Sequence, residues 1–194
     1  MKKILVAILL LGLVLTFGSS QAYAFDMTGI TGFGSLVSLP ISAPTTISIF
    51  GGGGSVLKTT GIVDFAVLYD GSLYSYFYQV KNLGGGTNDS LGRFTFENPF
   101  GFTALGSGVI NNALDPVTLR TSSTSSYGAD LNLLVGETSN PFYFKFSVPP
   151  TVTYGYLQDG GIGTGNVVGP APEPTSMMLL GMGILGLFGF KKRS

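Results

Sequence analysis

Three tyrosines at alternate positions have the spacing needed to present a row of rings to a sugar. Tyr74, Tyr76 and Tyr78 are two residues apart, so a β-strand places them on one face. An aromatic ring offers an apolar surface beside a polar hydroxyl, which suits stacking against a pyranose. The stripe is a candidate glycan contact of a carbohydrate-binding module. Packing of the same tyrosines within a sheet is the alternative interpretation.

The carboxyl groups of the central region could supply a general acid and a general base. Glycoside hydrolysis needs two of them about 5 to 10 Å apart across a cleft. The acids here are scattered, mostly at expected turns and strand ends, where Asp accepts hydrogen bonds from backbone amides. We therefore expect no catalytic residue and no enzyme, with a carboxylate-dependent hydrolase as an alternative. The acids are Asp64, Asp70, Asp89, Glu97, Asp115, Asp130, Glu137 and Asp159.

The sequence contains no cysteine and no histidine. This excludes disulfides, thiol nucleophiles and Ser-His-Asp triads, and it removes the commonest zinc ligands. No D-x-[DN]-x-[DN]-G calcium loop is present, although calcium binding by loop oxygens stays open. We expect neither a metal nor a cofactor.

Two glycine-rich stretches have the composition of phosphate-binding loops without their spacing. Lys58 is misplaced after residues 51–54 for a G-x-x-x-x-G-K-[ST] loop. Residues 161–165 lack the third glycine of a dinucleotide fingerprint and lead into a proline-rich stretch. We expect a flexible loop at the first stretch and a linker at the second.

The first 24 residues have the three parts of a secretory signal peptide. Lys2 and Lys3 precede an apolar run over residues 4–17, and Ala22 and Ala24 form an A-x-A cleavage site. We expect signal peptidase to cut after Ala24. An uncleaved N-terminal anchor is the alternative, although the run is shorter than a comfortable membrane span.

Charge is distributed unevenly along the chain. Five of the ten bases lie at the two ends, while all ten acids lie between Asp26 and Glu173, so the central region is acidic although the chain sums to zero. Nonspecific nucleic-acid binding needs a cationic surface that displaces counterions from phosphates. We therefore expect no nucleic-acid partner.

Residues 175–190 are almost wholly apolar. As a helix they would be about 24 Å long, somewhat less than the roughly 30 Å of a bilayer core. Pro172 and Pro174 prevent a helix from entering from upstream, and the bases that follow mark a cytoplasmic end. We expect a single transmembrane helix with the body outside, and a buried core helix is the alternative. The bases are Lys191, Lys192 and Arg193.

Pro172-Glu173-Pro174, the short apolar span and the basic end together resemble the PEP-CTERM protein-sorting domain of exported bacterial proteins. The resemblance covers residues 170–194. It implies an exosortase, a membrane transpeptidase-like protease, as a partner that cuts near the motif and passes the protein toward the cell surface. Bacteria with such proteins often make exopolysaccharide. The basic end mixes two lysines with one arginine, where the family often favours arginines.

Between these signals the chain has the pattern of strands and turns. Asp70-Gly71, flanked by alternating runs, indicates a hairpin with a two-residue loop that sets Val67 opposite Tyr74. Residues 142–148 alternate most regularly, residues 93–97 and 131–135 also read as strands, and residues 152–156 fit a final strand. We expect an all-β antiparallel β-sandwich. The predicted division is 1–24 signal peptide, 25–160 sandwich, 161–171 Gly/Pro linker and 172–194 sorting signal.

These observations favour an exported cell-surface or extracellular-matrix protein associated with exopolysaccharide or biofilm. The expected route has an inner-membrane intermediate held transiently by the C-terminal helix, followed by the cell surface or the medium. A carbohydrate-binding module and a hydrolase are the two other hypotheses.

Overall fold

A computed structural model describes residues 30–51, 56–87, 89–111, 114–123 and 125–170. The predicted signal peptide with Ala22 and Ala24 lies outside these residues. So do the PEP motif from Pro172 to Pro174, the predicted transmembrane helix and the basic end. Within the described ranges no helix is long and apolar enough to cross a membrane.

Strands account for most of the described chain, in line with its aromatic and β-branched composition. The eleven strands are β1 Ser35–Leu36, β2 Thr45–Phe50, β3 Leu57–Tyr69, β4 Tyr74–Gly84, β5 Leu91–Glu97, β6 Gly106–Val109, β7 Thr118–Ser123, β8 Ser126–Leu133, β9 Phe142–Phe146, β10 Pro150–Gln158 and β11 Ile162–Pro170.

The strands form a single antiparallel sheet in the order β6-β9-β4-β3-β2-β11-β10-β5-β8-β7, with β1 paired to β3. The two terminal strands of this order, β6 and β7, contact each other, so the sheet curls into a nearly closed, barrel-like shape. The all-β antiparallel class is confirmed. The two separate layers of the predicted sandwich are replaced by one sheet, because β11 and β10 connect β2 to β5 and leave no gap between two layers.

Residues 161–171, predicted as a linker, are mostly a strand. β11 pairs with β10 over nine positions, from Pro150 opposite Pro170 to Gln158 opposite Ile162. Its glycines permit close packing: a Cβ at Gly163 would collide with the carbonyl oxygen of Ser48 on β2. The folded body therefore extends to Pro170, ten residues beyond the predicted boundary.

The inward faces of the strands form an aromatic core. The fully buried rings come mainly from β4, β5 and β9, and several contact one another edge to face or stacked, as in the pair Tyr78 and Phe96 at 4.7 Å between centroids. The predicted strand over residues 142–148 is β9, whose residues alternate between buried and half-buried. The large buried rings of this core are Phe65, Tyr76, Tyr78, Phe94, Phe96, Phe142, Phe144 and Phe146. Phe77 is buried on the other face of β4, against the rings of Phe33 and Tyr143.

The predicted hairpin is present, but its loop has four residues instead of two. Tyr69 pairs with Tyr74 and Val67 pairs with Tyr76, which shifts the register by two positions and keeps the same faces together. The carboxylate of Asp70 accepts hydrogen bonds from the amides of Ser72 and Leu73, each at 2.9 Å, and from the Ser72 hydroxyl. This side chain stabilises a longer turn than the Asp-Gly pair alone predicts.

Candidate functional site

The predicted glycan stripe lies mainly in the core. Tyr76 and Tyr78 are 0% exposed, and their hydroxyls donate hydrogen bonds to the carbonyl oxygens of Val148 at 2.7 Å and Val168 at 2.5 Å. Burial raises the pKa of both phenols above the usual range. Neither ring can stack on a sugar, so the glycan assignment is wrong for these two residues and the packing alternative is correct.

Tyr74, the third member of the stripe, is half-buried at the end of the hairpin. Its ring stacks on that of Tyr69, with 4.4 Å between centroids and 25° between planes. The two rings cover each other, and the stripe does not form a continuous platform.

A different pair of tyrosines lies on the outside of the sheet. Tyr154 is 56% exposed and Tyr156 is half-buried, and both point outward from β10. Residues two apart on a strand are separated by about 6.6 to 6.8 Å. Their alternation was visible in the sequence, but the direction of their side chains depends on the neighbouring strands. We call the outward side chains of Thr95, Tyr154, Tyr156, Gln158, Thr164 and Asn166 the outer tyrosine face.

The strands on either side of β10 surround these rings with polar groups. Tyr156 lies opposite Thr95 on β5 and Thr164 on β11, and Tyr154 lies opposite Asn166. The hydroxyl of Tyr156 donates a short hydrogen bond to a carboxylate oxygen of Glu97. This bond, with some desolvation, raises the pKa of Tyr156 to about 12, so the phenol stays protonated at neutral pH.

An ion-pair network adjoins the outer tyrosine face. Asp130 on β8 accepts from the Nε of Arg93 at 2.8 Å and from the Nε of Arg120 at 2.6 Å. Partial desolvation opposes ionisation, but the hydrogen bonds from the two guanidinium groups lower the pKa of Asp130. Arg93 also reaches Gln158 at 3.5 Å. Because Glu97 and Asp130 balance the two arginines, this part of the surface carries no net charge.

The structure brings two of the scattered acids together at the ends of β3, β5 and β10. Lys58 forms an ion pair of 3.2 Å with Asp89. Hydrogen bonds from Thr87 and Lys58 lower the pKa of Asp89, whereas desolvation and the charge of Asp89 raise the pKa of Asp159. Since Lys58 is held by a carboxylate, it is not free to cradle a phosphate.

The other predicted acids have separate surroundings. Asp70 is in the hairpin turn, and Asp64 lies mid-strand, where burial raises its pKa. Among the described residues, no group of three or more acidic side chains is placed to hold a metal ion.

These features define an all-β protein with one curled sheet, an aromatic core and a polar outer face that presents tyrosines. Residues 170–193 match the family model described as the PEP-CTERM protein-sorting motif, so the recognition of a PEP-CTERM protein is confirmed. The motif indicates an exported protein that passes through the membrane and is processed by an exosortase.

Of the matched residues, only Pro170 belongs to the described sheet. No curated protein and no solved structure matches the chain.

Proposed function

We propose that this chain is a non-enzymatic protein of the cell surface or extracellular matrix, which an exosortase delivers there and which associates with exopolysaccharide. The observation that carries the proposal is the sorting motif at residues 170–193. Signal peptidase removes residues 1–24, and the apolar run over residues 175–190 holds the body at the inner membrane until the tail is cut near Pro172-Glu173-Pro174.

The absence of a catalytic set from the sequence supports a non-enzymatic role. The chain has no histidine or cysteine, and three of its acids are committed elsewhere: Asp70 to a turn, Asp89 to Lys58 and Asp130 to two arginines. Among the acids that the structure describes, the hydrolase hypothesis can draw on Asp89 and Asp159, whose pKa values are moved in opposite directions. Hydrolysis of a polysaccharide that is lost in Asp159→Asn would favour it over our proposal.

Truncation after Ala171 tests the sorting step, because it removes the motif and retains all eleven strands. We expect the truncated body to be exported and then lost from the surface fraction, while the full chain reaches it. A matched variant, Glu173→Ala, keeps the apolar run and the bases and should accumulate uncut in the inner membrane. Equal surface delivery of all three proteins would contradict the proposal.

A second candidate function, binding of a neutral polysaccharide, is favoured by the outer tyrosine face. Tyr154 is the most exposed aromatic ring of the described residues and lies beside a second tyrosine. The amide and hydroxyl groups of Gln158, Thr95 and Asn166 can donate and accept hydrogen bonds with sugar hydroxyls. A surface with balanced charge suits an uncharged ligand better than an anionic or cationic one.

A glycan array with the full chain tests this second function. We expect binding that is lost in Tyr154→Ala and retained in Phe50→Ala, which removes an exposed ring elsewhere on the sheet. Unfolding curves of both variants show that the body is intact. Equal binding by both variants, or no binding by the native chain, would rule out a site at Tyr154.

A further inference from the structure

The last strand ends almost at the sorting motif. β11 runs to Pro170, and only residues 171–174 separate it from the apolar run that begins at Thr175. At about 3.3 to 3.6 Å per residue, the chain reaches at most about 18 Å from Pro170 to Thr175. A domain of about 140 residues is roughly 35 to 40 Å across. The body therefore cannot turn end over end on this tether.

The strand ends that surround Pro170 form one rim of the sheet, which we call the tail rim. Pro150 pairs with Pro170, the Thr153 hydroxyl donates to the Glu97 carbonyl at 3.2 Å, and Tyr74 pairs with Phe146. The described connecting residues of the tail rim are 37–44, 70–73, 98–105, 125 and 147–149. Those of the opposite rim are residues 51, 56, 85–87, 89–90, 110–111, 114–117, 134–141 and 159–161.

The two rims differ in charge. In the described connections of the tail rim, the one charged residue is Asp70, whose carboxylate is occupied by the Ser72 and Leu73 hydrogen bonds. The strand ends beside them carry Glu97, which accepts a hydrogen bond from Tyr156, and Lys145, whose ammonium lies 4.7 Å from the centroid of the Phe33 ring. Charged groups are costly next to a lipid phase, because they lose hydration there. The tail rim is thus suited to the membrane surface. The described connections of the opposite rim carry Asp89, Asp115, Glu137 and Asp159.

The tail rim also exposes side chains that favour a bilayer interface. Phe100 is 52% exposed, Leu105 is 59% exposed and Tyr69 is 37% exposed. Tyrosine rings are enriched at the level of the lipid headgroups, and phenylalanine and leucine side chains of interfacial segments enter the boundary with the acyl chains. The opposite rim exposes an aromatic ring too, Phe50 at 45%, so the charge and the tether distinguish the two rims.

We infer that the tail rim rests on the lipid surface of the membrane while the tail is uncut, with Phe100 and Tyr69 at headgroup level. This inference rests on the proposed function, since it needs residues 175–190 to enter the bilayer. The body then lies against the membrane at the place where the motif is cut. The outer tyrosine face, which runs along the strands, then points sideways, parallel to the membrane surface.

Tryptophan fluorescence can test this orientation, because the chain has no tryptophan of its own. The full chain would be reconstituted as Phe100→Trp, Tyr69→Trp and Phe50→Trp in phosphatidylcholine vesicles that contain phosphatidylcholine brominated near the headgroup. We expect quenching to be several-fold stronger for the two tail-rim variants than for Phe50→Trp. Circular dichroism verifies that each variant is folded.

If the chain sediments with the vesicles but quenching is equal in all three variants, the inference is overturned and the proposed anchoring is left intact. Tail-rim variants that are shielded from water but not quenched by bromine would point to pairing of two copies and would also overturn it. A full chain that fails to sediment with the vesicles would overturn both the anchoring and this inference.

Discussion

The hydroxyl of Tyr78 on β4 donates a hydrogen bond of 2.5 Å to the carbonyl oxygen of Val168 on β11. Both residues are 0% exposed, so this bond crosses the core and joins the central hairpin to the last strand. A tyrosine of the predicted glycan stripe therefore stabilises the closure of the sheet.

Tyr78→Phe should lower the free energy of unfolding by about 1 to 3 kcal/mol, because the buried Val168 carbonyl loses its donor while the ring is retained. Denaturant unfolding measures the change. Tyr154→Phe removes an exposed hydroxyl and should stay within about 0.5 kcal/mol of the native protein. Equal stability of the two variants would contradict the role of this bond.

Asn82 joins four segments at the opposite rim. Its amide nitrogen donates to the carbonyl oxygens of Leu133 at 2.9 Å and Asp89 at 3.1 Å, and its oxygen accepts from the Thr59 hydroxyl at 2.7 Å and the Gly84 amide at 2.9 Å. Because Asn82 is 0% exposed, Asn82→Ala leaves several buried groups unpaired.

We expect Asn82→Ala to cost about 3 to 5 kcal/mol in thermal or denaturant unfolding. Asn166→Ala, a change of the same size at an exposed position, should cost less than about 0.5 kcal/mol. A small effect at Asn82 would mean that water replaces its partners.

Gly163→Ala should destabilise the body by about 1 to 3 kcal/mol, since the new methyl group would collide with the Ser48 carbonyl and lie 2.8 Å from Ile47. Gly106→Ala is the control, because a Cβ there is 3.6 Å from the Lys145 side chain, an ordinary contact. Differential scanning calorimetry compares the two. If Gly163→Ala were as stable as Gly106→Ala, β11 would not pack against β2.

Asp70 should make the hairpin sensitive to acid. Hydrogen bonds from Leu73 and Ser72 lower its pKa from 3.8 to about 2, so its contribution to stability is fully present above pH 3.8 and is lost as the pH falls through about 2. We expect Asp70→Asn to be less stable than the native protein at about pH 6 and equally stable below about pH 2.

Asp64→Asn should change the stability at neutral pH in the opposite direction to Asp70→Asn, and it serves as the control for that variant. Burial raises the pKa of Asp64, so its carboxylate destabilises the fold once the pH rises through that pKa. The variant should therefore be more stable than the native protein at about pH 6, and the gain should disappear in acid. Chemical denaturation at both pH values measures the two differences, and a pH-independent difference at Asp70 would contradict its assignment.

The strands in which apolar and polar residues alternate regularly could be predicted from the sequence. The strand from Phe142 to Phe146 and the hairpin around Asp70 follow from a period of two, because each has one face in the core. The predicted loop length of two residues was wrong, since the four-residue loop depends on three hydrogen bonds that a single carboxylate accepts.

The strand β11 and the outer tyrosine face were not predicted, for a different reason. Gly161, Gly163 and Gly165 suggest flexibility when read alone, and the close approach of β2 that requires them is a tertiary contact. Likewise, alternation shows that Tyr154 and Tyr156 share a face, but the positions of β5 and β11 decide that this face is outward.

The position of β11 between β2 and β10 has a mechanical consequence. A force applied to the tail acts on the body at Pro170, the last residue of β11. When this force is directed along the axis of β11, it is also parallel to the axes of β2 and β10. The nine pairs with β10 are then loaded together in shear and share the force, instead of opening one after another as at a sheet edge. A body held in this way resists unfolding by a force applied at its C-terminal end.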